Sequence, residues 1–94
     1  MTEKEWRQKF AIRLQNVMLE KGMTESCLCV LSGLEHSSVW RYLHAQITPN
    51  VLSVLNLAKA LGVSVDELVD FEESIDRFEI DGRRFYDDFR REIQ

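Results

Sequence analysis

No stretch of this chain comes near the ~20 consecutive apolar residues that a membrane-spanning helix requires. Its opening, MTEKEW, is charged and lacks the basic-then-apolar pattern of a secretory leader, so the expectation is a cytoplasmic protein. Cysteine is scarce. Cys27 and Cys29 stand two apart on a helical stretch, roughly 200° apart around its axis, and cannot bridge each other. They read as reduced core residues. The only two histidines, His36 and His44, add no paired-ligand spacing to them, so a metal site is not indicated. The chain also lacks a phosphate-cradling glycine loop and any recognisable pairing of nucleophile with base, which leaves no case for an enzyme or a bound cofactor. Ninety-four residues suffice for one small core that gains from a partner subunit.

What is present is organised around Thr24 to Leu43, TESCLCVLSGLEHSSVWRYL, which reads as two short helices joined by a tight turn. Thr24 offers the short oxygen-bearing side chain that satisfies a helix start, and Leu28 with Leu31 gives that helix a buried stripe. Gly33 takes the left-handed backbone of a C-cap, Leu34 turns inward, and Glu35 opens a second helix whose Val39 and Leu43 share a face. His36, Ser37, Trp40 and Arg41 are left on the other face. Before this unit, a helix from Thr2 to Lys21 buries Trp6, Phe10, Leu14, Val17 and Met18, and Gly22 stops it. After it, HAQIT is a loop. Pro49 then starts a fourth helix capped by Thr48, with Val51, Leu55, Ala58 and Leu61 as its stripe, broadened by Val54 and Leu57, and Gly62 as its end. SVDEL is a capping box: Ser64 caps a fifth helix, Glu67 lies three residues on, and Val65 and Leu68 complete the core.

These segments resemble the phage-repressor and Cro-like helix-turn-helix family, also called XRE-like regulators, from about Phe10 to Phe71. The resemblance rests on Phe10 and Leu14, KGMTESCL, SGLEHSSVWRYL and, most specifically, TPNVLSVLNLAKALGVSVDEL. It implies an all-α, five-helix, lambda-repressor-like domain over residues 1–70, followed by an extension over 71–94. It also implies that helix 35–43 lies in the major groove of double-stranded DNA, with Glu35, His36, Ser37, Trp40 and Arg41 near base edges. Family members commonly pair an arginine at the position of Met18 with a glutamate at that of Leu43. Here both are apolar, the joint replacement a working core permits. Cys29 takes the place of a small alanine between the motif helices.

Arg41 carries a fork that fits guanine O6 and N7; its plainer role is to hold a phosphate or a nearby carboxylate. Ser37 and Ser38 reach phosphates or base edges, although Ser38 also fits a position facing the preceding helix. His36 can donate to or accept from a base edge, or stand exposed with no role. Glu35 can accept from a cytosine amine, or simply favour its own helix N-terminus. Trp40 sits where a polar residue is usual and suits thymine methyls, sugar or a protein surface. Thr24 at the start of the second helix, with His44, Gln46 and Asn50 around the loop before the fourth, completes the expected DNA-facing set. Glu25 stands where many members have a phosphate-binding glutamine, and a carboxylate there repels phosphate.

The formal net charge is −4, the wrong sign for gripping phosphates, but it is unevenly spread. Residues 1–48 carry six basic side chains against five acidic, whereas 70–94 carry nine acidic against five arginines. A near-neutral motif predicts weak nonspecific binding and modest salt dependence. The acidic extension has three readings: a helix on Phe71, Ile75 and Phe78; a hairpin turning at Asp81 and Gly82; or an extended piece at 77–80 followed by a helix over 83–92, the arrangement we favour. Its Phe78, Ile80, Phe85, Tyr86, Phe89 and Ile93 are too many to bury within so short a segment, so they are expected to pack on the domain or on a second copy of it, and the extension is the expected dimerisation element. The expected function is a sequence-specific, dimeric repressor. The alternative is a protein-interaction module, antitoxin-like or anti-repressor-like, that keeps the fold and binds a protein partner through Trp40 and the acidic extension.

Overall fold

A computed structural model describes residues 1–69. Five helices follow in order: α1 (Glu3–Lys21), α2 (Glu25–Ser32), α3 (His36–Leu43), α4 (Val51–Leu61) and α5 (Val65–Val69). Short polar residues fix the starts. Thr2 accepts from the Glu5 amide and Thr24 from the Cys27 amide, each at 3.1 Å, and Ser64 Oγ accepts from the Glu67 amide at 3.3 Å. Gly33 ends α2 at φ +73°, with its N–H bonded to the Cys29 carbonyl at 3.0 Å. A side chain there would be forced into the left-handed region, so the sharp turn between the motif helices depends on glycine.

The core lies where α1 meets α3 and α5, and where α2 meets α3 and α4. Phe10, Leu14 and Val17 of α1, Leu28 of α2, Val39 of α3, Leu57 of α4 and Leu68 of α5 are closed to solvent within one cluster. Met18 and Leu43, which replace the ion pair implied by the family resemblance, are both buried in that cluster. Trp6 stacks on Phe10 with ring centroids 5.1 Å apart. Tyr42, which the sequence pattern did not mark, is buried and donates its hydroxyl to Ser53 Oγ at 3.2 Å, joining α3 to α4 inside the core. Gln8, Ala11, Ile12 and Arg13 of α1 are also buried, outside the expected stripe. Arg13 Nε donates to the Glu67 carbonyl and so ties α1 to α5.

Three expectations need correction. Thr48 does not cap α4. Asn50 does, its Oδ1 accepting from the Ser53 amide at 2.8 Å, and Pro49 lies buried just ahead of the helix. Thr48 is engaged elsewhere: its hydroxyl donates to Glu3 Oε2 at 2.8 Å and accepts from Arg7 Nε at 2.9 Å, lashing the loop to the first turns of α1. The Arg7–Glu3 ion pair at 3.2 Å completes the lashing, and its exposure makes the charge contribution small. Second, Leu31 is exposed, as are Val51 (76%) and Leu55, while Ser53 takes a buried place in α4 beside Val54, Leu57, Ala58 and Leu61. Third, Cys27 is exposed and not a core residue; Cys29 is half-buried against the core, and both thiols are free. The expected extension over 71–94 lies outside the described residues. No helix among the described residues is long and apolar enough to cross a membrane.

Candidate nucleic-acid interface

The turn at Gly33 sets α3 against α2, and Val39 and Leu43 hold its inner side in the core. The 100° step of a helix then fans His36, Ser37, Trp40 and Arg41 across the outer side, and all four are exposed. The Arg41 side chain has no hydrogen-bond or ion-pair partner among the described residues, so its guanidinium is available to a ligand. His36 is less free. Its Nδ1 lies 3.6 Å from Cys29 Sγ, a contact that spans the two motif helices and orients the ring at the start of α3. Ser38 is half-buried, in keeping with the reading that turns it toward the preceding helix. Glu35 is exposed with extended backbone and makes no side-chain capping bond, leaving its carboxylate at the mouth of the motif. Thr24 is occupied as the α2 cap.

The far end of α3 is closed without a glycine. The Trp40 carbonyl accepts from the His44 amide at 3.0 Å and from His44 Nδ1 at 2.8 Å, and the Arg41 carbonyl accepts from the Gln46 amide at 2.8 Å. The Tyr42 carbonyl accepts from the Ala45 amide at 3.3 Å, and the Leu43 carbonyl from Gln15 Nε2 at 3.0 Å. The last four carbonyls of the helix are therefore all bound, which an unassisted helix end cannot achieve. Ala45 takes the left-handed backbone at φ +56° that lets the chain turn back. Gln15, reaching across from α1, is a supporting residue with no signal in the sequence beyond its place beside Leu14. His44 also stacks under Trp40, with ring centroids 4.1 Å apart and planes 18° from parallel. Gln46 is exposed beside them and also sends its side-chain amide toward the His44 carbonyl at 3.5 Å.

Burial pushes the Cys29 thiol up from its usual range, and the nearby Glu25 carboxylate pushes it the same way. Since only the thiolate is nucleophilic, Cys29 is protected while exposed Cys27 is open to reagent. With limiting iodoacetamide at pH 8, peptide mapping is expected to find label on Cys27 first, with Cys29 at least tenfold slower until denaturant is added. Equal labelling rates would show that α2 opens readily.

A family model for the Cro/C1-type helix-turn-helix DNA-binding domain matches residues 13–74. Among solved structures, the chain is similar to the restriction-modification controller protein C.AhdI from Aeromonas hydrophila. The two are 34% identical and superpose with a TM-score of 0.64, over 66% of this chain and 94% of that one. No curated protein matches the sequence. The family match spans the motif and most of the core around it, so the chain belongs to the Cro/C1-type helix-turn-helix family and is a DNA-binding transcription regulator.

Proposed function

We propose that this regulator is a dimeric repressor of the cytoplasm that reads a two-fold operator by placing α3 in the major groove. The observation that carries this reading is the outer side of α3, where Arg41, unpaired among the described residues, stands with His36, Ser37 and Trp40 over a buried seam. Arg41 supplies the bidentate donor, Ser37 the short polar contact, and Glu35 an acceptor for a cytosine amine. His44 and Gln46 flank the backbone, while Thr24 holds the start of α2. The DNA-binding domain runs over 1–70. The extension over 71–94, through Phe78, Ile80, Phe85, Tyr86, Phe89 and Ile93, joins two copies, so that two reading helices multiply the binding free energy of one.

Selection from random duplexes at two salt concentrations tests this. The expected product is a two-fold site with half-sites about one helical turn apart, bound more weakly at the higher salt. Replacing Phe85 and Phe89 with serine is expected to give a monomer by light scattering; an unchanged oligomeric state would remove the extension from the dimer.

A second reading, in which a protein partner is bound, is favoured by one specific observation. Val30, Leu31, Val51 and Leu52 are exposed apolar side chains on α2 and α4, two helices that pack together, and Trp40 adds 47% of its own surface. Failure to enrich any duplex while the protein is folded would turn the assignment to that reading.

A further inference from the structure

Trp40 is held unusually well for a half-exposed surface side chain. Its ring lies against the His44 imidazole at 4.1 Å, and the same imidazole, through Nδ1, is hydrogen-bonded to the Trp40 carbonyl at 2.8 Å. Since a carbonyl only accepts, Nδ1 carries the proton, and the imidazole is pinned to the backbone of the residue whose ring it supports. The indole thus loses the rotamer freedom an exposed tryptophan would otherwise keep, while 47% of its surface stays open. An indole presents one N–H donor and a broad apolar face. In a duplex the bases are stacked and only their edges are reachable, and the apolar feature of the major-groove edge is the thymine C5-methyl.

We infer that His44 is a positioning residue that fixes the Trp40 indole as a plate, and that the open part of this plate takes a thymine methyl in the major groove. This rests on the DNA-reading role of α3 proposed above and adds to it one specificity contact. Arg41, one residue further round the same side, supplies the polar half of the readout.

The test is a deoxyuridine scan of the selected duplex, each substitution removing a single methyl group. Wild-type protein is expected to lose about fourfold in affinity at one thymine per half-site, the factor corresponding to one buried methyl. That penalty should vanish in Trp40→Ala, shrink in His44→Ala, and return in His44→Phe, which restores the stack without the hydrogen bond. A readout independent of DNA accompanies it. In a Trp6→Phe background Trp40 is the sole tryptophan, and its fluorescence anisotropy should fall in His44→Ala and hold in His44→Phe. If His44→Ala leaves both the methyl penalty and the anisotropy unchanged, the positioning role is overturned while the DNA-reading role stands. A scan in which no thymine depends on Trp40 overturns the methyl contact. Absence of any bound duplex overturns the DNA-reading role and this inference together.

Discussion

Leu43→Glu alone should destabilise the domain by about 3–5 kcal/mol, a large share of the ~5–15 kcal/mol total stability of a small protein. Leu43 is buried in the central cluster at the end of α3, and Met18, its counterpart on α1, is buried in the same cluster. A carboxylate introduced there meets no cation, and the uncompensated desolvation of a charge is among the largest penalties a single substitution can impose. Adding Met18→Arg should recover most of the loss and bring the double variant within about 1 kcal/mol of the starting protein, because a buried pair and a packed apolar pair are close to interchangeable. Urea denaturation of the four proteins in a double-mutant cycle measures the coupling directly. If Leu43→Glu is tolerated by itself, the seam between α1 and α3 is open to water. If the second substitution rescues nothing, positions 18 and 43 do not face each other.

Arg41→Ala should weaken binding to the selected duplex by roughly 10- to 100-fold, the range expected for losing one bidentate base contact. The fold should not respond, since the side chain is exposed and makes no bond to the described residues. How the loss is distributed separates the two roles open to the guanidinium. A base contact relaxes the preference at one position of each half-site and leaves the salt slope nearly intact. A phosphate contact weakens all sequences alike and lowers the slope by about one. An affinity unchanged across sequences would place the DNA contacts elsewhere than α3.

The parts of the fold that could be read in the sequence are those governed by near neighbours. Thr24, Gly33, Gly62 and Ser64 act within three or four residues, and the structure has each in the expected role. The face of α4 was harder, because VLSVLNLAKAL is apolar nearly all round; its stripe does not distinguish Val51 and Leu55 from Val54 and Leu57. The register is set by Ser53, whose hydroxyl is needed by Tyr42 across the core. Thr48 and Asn50 are both competent caps, and the choice between them is made by Glu3 and Arg7, more than forty residues upstream. In the site, the outer side of α3 follows from helical spacing. The contacts that orient it, Cys29 to His36 and Gln15 to Leu43, are polar pairings between different helices for which no local pattern exists.

The closed end of α3 bears on how such a protein holds DNA at all. With six basic side chains against five acidic in its first 48 residues, the domain has little long-range pull on a polyanion, so its encounters with DNA gain little from steering. Its residence time must then be set by short-range fit. Helix ends normally fray, and a frayed end must be ordered during association, a cost subtracted from every contact it makes. Since all four terminal carbonyls of α3 are bound before any duplex arrives, that ordering is completed when the protein folds. If α3 reads the groove as proposed, slow release more than fast capture is the kinetic character to expect of it.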